Sequence, residues 1–123
     1  MAGIAPEARE DTYDMQCFPL YSLLRAAAGN VTVNYLSLDI EGAELQVLRT
    51  LPWDKVDIEV MTVETNHAGE VFPGTRQDVR DYLALRGYVF ITCLQGESLV
   101  GGMWDHDVSL LIINDKCRAQ SLP

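Results

Sequence analysis

Basic residues are scarce in this chain. Nine lysines and arginines stand against eighteen aspartates and glutamates, a formal charge of −9 over 123 residues. Such a surface repels a phosphate backbone, and no basic stripe or basic aromatic patch offsets it, so nucleic acid is excluded as a partner. Long apolar runs are missing too. No stretch spans a bilayer, and the first residues lack the basic-then-apolar layout of a secretion signal, so the chain as written is expected to be soluble. The three cysteines, Cys17, Cys93 and Cys117, show no CxxC-type spacing, and an odd number makes no disulfide framework. They are expected to be small buried residues or idle thiols. Histidine occurs only twice, at His67 and His106. A single loop histidine is more often solvated than a ligand, and no metal is assigned.

What is present is ample apolar material. Hydrophobic residues make up 48% and charged residues 22%, the balance of one globular domain or part of one. A flexible leader is expected over residues 1–14, a folded body over 15–118 and a short tail over 119–123. Asn30-Val31-Thr32 is a glycosylation sequon in an expected surface turn.

Local patterns order the body. FPLYSLLRAAAG predicts a helix with Pro19 in its first turn and Gly29 closing it. VNYLSLDI predicts a buried strand, and AELQVLRTL a helix striped by Leu45, Leu48 and Leu51 that stops at Pro52. IEVMTVET is β-branched and reads as a strand, and NHAGEVFPG as a loop. TRQDVRDYLALRG predicts a helix with a capping box from Thr75 to Asp78 and a stop at Gly87. YVFITCL and DVSLLIIND are the last two strands, joined by QGESLVGGMW as a flexible connection.

Strands alternating with helices predict an α/β fold of three layers, with right-handed crossovers and a mainly parallel sheet covered on both faces. Ligands in such sheets sit beyond the carboxyl ends of the strands. Two acidic groups fall there: Asp39, Glu41 and Glu44 after the first strand, and Glu64 with Thr65, Asn66 and His67 after the second. In LDIEGAE, Gly42 permits the sharp turn into the helix. Glu44 is assigned to capping, because acids stabilise a helix N-terminus. Asp39 is assigned to function from its place at the strand tip, and Glu41 is balanced between the two roles. Like charges on neighbouring strand tips raise one another's pKa or demand a cation between them.

The succession YLSLDIEGAELQVLRTL, then PW, then VDIEVMTVE, then a helix ending YLALRGY, resembles the second half of the FkbM-type methyltransferase domain. The pattern there is a hydrophobic strand, D-x-E-G-x-E, a leucine-rich helix, a strand ending V-E and a helix closing in G-Y. The resemblance covers roughly Cys17 to Asp115. CFPLYSLL and the Leu51-to-Asp57 segment are most similar to the animal Star-type subgroup, secretory-pathway membrane proteins linked to export of growth-factor precursors. The sequon at Asn30 suits a lumenal address.

The resemblance implies a partial class I, Rossmann-like methyltransferase fold whose sheet has a reversed last strand. It further implies S-adenosylmethionine as cofactor and a glycan or other small-molecule hydroxyl as acceptor. Asp39 and Glu41 would line the catalytic rim, Asp39 beside the methyl donor, while Glu64 would face the acceptor and Asn66 and His67 would bind it. In the Star-type alternative the partner is protein cargo. The family's glycine-rich turn after its first strand is not found here, and Gly96, Gly101 and Gly102 come too late to replace it. Catalysis is therefore not expected of this chain alone. The strand at residues 35–39, lacking its neighbour, is expected to be a bare edge that drives self-association.

Overall fold

The computed structural model describes residues 13–100 and 103–114, with side chains for residues 13–94, 111 and 112. The leader up to residue 12, the tail at 119–123, Gly101, Gly102 and Cys117 lie outside the described residues.

Three helices and four strands follow in the order α1 (Leu20–Ala28), β1 (Val33–Leu38), α2 (Glu44–Thr50), β2 (Ile58–Glu64), α3 (Arg76–Leu85), β3 (Tyr88–Val100) and β4 (Met103–Asn114). Each helix ends for a local reason. Gly29 takes φ 63° after α1. Leu51 turns extended at ψ 131°, as a residue before proline must, and so stops α2. Thr75 and Asp78 form the reciprocal capping box at the start of α3.

The sheet order is β1-β2-β4-β3. β1 and β2 are parallel, with Leu36 beside Met61 and Leu38 beside Val63. β4 is antiparallel to both β2 and β3, because the last strand reverses and inserts between them. Three strands thus run one way, yet only one of the three pairings is parallel. The expectation of a mainly parallel sheet is corrected to a mixed one. QGESLVGGMW is corrected as well: β3 and β4 run through it, in register to Val100 opposite Met103, and no long connection intervenes. His106 falls on β4.

The expected three layers reduce to two among the described residues. Contacts of α2 with α1 and with α3 set the helices side by side. The steps from β1 to β2 and from β2 to β3 go the same way across the sheet, so right-handed crossovers place both helices on one face. The core lies under that face: Leu38, Leu45, Leu48, Leu51, Ile58, Met61, Val63, Val79, Leu83, Tyr88 and Ile112 are buried together. Trp53 ties α2 to α3, donating from Nε1 to the Leu48 carbonyl at 3.1 Å and to Tyr82 Oη at 3.0 Å.

β1 is not the buried strand its residues suggest. It is an edge, only Leu38 on it is buried, and Tyr35 is 57% exposed. Helix α1 buries none of its residues; Leu23 on it and Phe18 and Val31 beside it stay exposed. Cys17 and Cys93 are exposed free thiols rather than core residues. An apolar edge of this kind templates strand addition. The purified chain is expected to elute from size exclusion above its monomer mass, and Tyr35→Lys to shift it towards monomer. A sharp monomer peak for the unmodified chain contradicts this.

Candidate functional site

Asp39 follows the last residue of β1, and Glu64 is the last residue of β2. Because the strands are parallel and pair Leu38 with Val63, these acids reach the same end of the sheet side by side. Glu44, the first residue of α2, joins them: one carboxylate oxygen from each of Asp39, Glu44 and Glu64 lies within 4.8 Å of the others. Asp39 is exposed, whereas Glu44 and Glu64 are only 2% and 4% exposed.

The elbow that brings Glu44 in is built from two residues with positive φ, Glu41 at 58° and Gly42 at 107°. Within it, Glu44 Oε1 accepts from the Ile40 amide at 2.9 Å and Oε2 from the Gly42 amide at 3.1 Å. Glu44 thus sits in the first turn of α2 but braces the elbow rather than capping the helix, whose N-terminus has no side-chain cap hydrogen bond, and the same carboxylate faces Asp39 and Glu64. That second role had no local signature, since it depends on where β2 ends.

Glu64 Oε1 accepts a hydrogen bond from the Asn66 amide, while Oε2 is buried without a hydrogen-bond partner. Burial pushes the Glu64 carboxyl above its ordinary 4.5; the Asn66 amide opposes this, and the charges of Glu44 and Asp39 push it further up.

Glu41 does not enter the cluster. Its side chain is 75% exposed and pairs with His67 Nε2 at 3.0 Å, while His67 Nδ1 pairs with Glu70 at 2.8 Å. The hydrogen bond with Glu70 raises the His67 pKa above its ordinary 6.5; slight burial opposes it, and the charges of Glu70, Glu41 and Glu64 add to it. With both ring nitrogens engaged by carboxylates, His67 ties the two loops together. The loops also touch through backbone: a Cβ at Gly42 would lie 2.8 Å from the His67 carbonyl oxygen.

The titrations fix a sign. Glu64 and His67 both have raised folded pKa values, so the folded chain holds more protons than the unfolded chain above 4.5 for one and above 6.5 for the other. Stability from each is fully present below those values and is lost as pH rises through the raised ones. The thermal midpoint is expected to fall from about pH 5 to about pH 8. His67→Asn should flatten the upper part of that fall, and a midpoint that rises over the range contradicts the assignment.

The space among Gly42, Glu44, Gln46, Glu64 and Gly74, which Asp39 does not line, is about 10 Å³, room for one atom-sized guest. A cavity of about 360 Å³ lies between α1 and the starts of β1 and β2, lined by Tyr21, Leu24, Val33 and Trp53, at the opposite end of the sheet.

A four-stranded mixed sheet with three helices and acids at its strand tips makes a small α/β unit, compatible with part of a methyltransferase-like fold. The family model for the methyltransferase FkbM domain matches residues 2–90, and the chain belongs to that family. The matched segment reaches nearer the N-terminus than Cys17 and closes at Phe90, before β4. Comparisons with curated proteins and with solved structures gave no match. Among the described residues, no helix is long and apolar enough to cross a membrane.

Proposed function

We propose that this chain supplies the acidic, acceptor-side half of an S-adenosylmethionine-dependent O-methyltransferase domain, and that it does not hold the methyl donor by itself. The observation that carries the reading is the meeting of Asp39 and Glu64 at one end of adjacent parallel strands, in a chain of the FkbM family.

In this reading an acceptor hydroxyl, on a glycan or another small molecule, approaches from the solvent side of Asp39. The Glu64 carboxylate, with its raised pKa and its free Oε2, is suited to orient that hydroxyl or take its proton. Asp39 borders the donor side, Asn66 and His67 border the acceptor, and Glu41 acts through His67 by fixing the loop. The residues at hand do not fit the donor. The described residues contain no glycine-rich turn between a strand and a helix ahead of β1. No chemical step is therefore drawn through the donor.

Calorimetric titration of the chain with S-adenosylmethionine tests this directly. No saturable heat is expected, and micromolar binding would overturn the incomplete-pocket reading. Should such binding occur, an unchanged affinity and turnover in Asp39→Ala would remove Asp39 from the site.

A second reading, a non-catalytic Star-type module of protein export that contacts cargo, draws support from Asn30. The sequon asparagine is exposed in the turn between α1 and β1. Expression through a secretory pathway should give a mass shift that peptide N-glycosidase removes and that Thr32→Ala prevents. Absence of that shift counts against the lumenal address.

A further inference from the structure

We propose that Asp39, Glu44 and Glu64 form a binding site for a hard divalent cation of the Mg²⁺, Mn²⁺ or Ca²⁺ class. The inference concerns the same rim but does not rest on methyl transfer, since the argument is one of charge and geometry alone.

Three carboxylates converge here from three elements, with one oxygen of each inside a 4.8 Å span. Ligand–metal distances of about 2.0–2.6 Å place opposite oxygens of a coordination shell roughly 4–5 Å apart, so a single ion fits the span with little movement. The donor set contains only oxygen, which selects hard cations over zinc or copper.

Acids alone would not suffice, and a second observation points inward. Glu64 is 4% exposed and its Oε2 has no hydrogen-bond partner. Gln46 Oε1 is likewise buried and unsatisfied, and both residues border the same cavity of about 10 Å³. Buried acceptors are ordinarily paired, and two orphans around an atom-sized space call for a guest. A water would satisfy the hydrogen bonds but leave the charge. Among the described residues no salt bridge reaches Asp39, Glu44 or Glu64; His67 is committed to Glu41 and Glu70, and the Arg76 guanidinium donates to Thr65 Oγ1. Two like-charged carboxylates taken out of water need a counter-charge or a proton.

The surroundings prearrange the ligands. The Ile40 and Gly42 amides hold Glu44, the Asn66 amide holds Glu64 by Oε1 and leaves Oε2 free, and exposed Asp39 leaves the outer positions to water. From the sequence Glu44 was a cap and no metal was assigned; its approach to Asp39 and Glu64 changes that balance.

The test is calorimetric titration of the whole chain with MgCl₂, MnCl₂ and CaCl₂, with thermal unfolding measured in parallel. At least one cation should bind with a stoichiometry of one and a dissociation constant below about 1 mM, and should raise the unfolding temperature in proportion to the logarithm of its concentration. Glu64→Gln removes a buried charge but keeps the shape. It should leave the cation-free chain at least as stable at neutral pH while weakening cation affinity at least tenfold. Asp39→Asn, on an exposed residue, should weaken it tenfold without disturbing the fold. The proposal is overturned if none of the three cations binds saturably, if both variants bind as the parent does, or if KCl at equal ionic strength gives the same thermal shift.

Discussion

Gly42→Ala is expected to destabilise the chain strongly and to dismantle the acidic rim. At φ 107° the backbone is in a region that L side chains rarely adopt, a strain of roughly 1–3 kcal/mol. The new Cβ would also stand 2.8 Å from the His67 carbonyl oxygen, which is backbone and cannot swing aside. Gly87→Ala is the proper comparison, because Gly87 has a similar φ of 89° but nothing within 4 Å of the added carbon. Gly87→Ala therefore reports strain alone, and Gly42→Ala reports strain plus collision. Denaturant unfolding should show Gly42→Ala as the costlier by a clear margin. Equal costs would mean that the elbow and the loop after β2 are not pressed together.

Leu48→Ala is the second large effect. Leu48 is fully buried at the middle of α2, and removing such a side chain costs about 2–5 kcal/mol. The loss matters beyond packing. A helix of seven residues has almost no stability of its own, so α2 exists because Leu45 and Leu48 are buried against the sheet. Glu44 is the first residue of that helix, and its carboxylate reaches Asp39 and Glu64 only while the helix stands. Against a total stability of about 5–15 kcal/mol for a native domain, that is a large share of the whole. Leu48→Met, which conserves volume, should cost below about 1.5 kcal/mol. A loss under about 1 kcal/mol in Leu48→Ala would show that α2 does not depend on its buried face.

Much of this arrangement could be read from residues alone, and the misses share a cause. The capping box of Thr75 and Asp78 is local and was legible as such. So was the adjacency of Asp39 and Glu64, because two parallel strands separated by a helix must bring their carboxyl ends to one border. Glu44 was divided between two roles that differ only in tertiary placement, and the local one is the more visible from sequence. The stretch QGESLVGGMW looked like a connection because three glycines interrupt it. Yet Gly101-Gly102 alone separates paired Val100 and Met103, and a two-residue glycine pair between strand-forming runs is itself a hairpin signal. VNYLSL reads as buried from its apolar residues, but burial needs a neighbour as well as hydrophobicity, and on its outer side β1 has none among the described residues.

The paired contacts of Glu41 with the His67 ring and of Gly42 with the His67 carbonyl have one more implication. They join the elbow after β1 to the loop after β2, so a change in either turn is felt by the other, and Asp39 beside them stands in solvent.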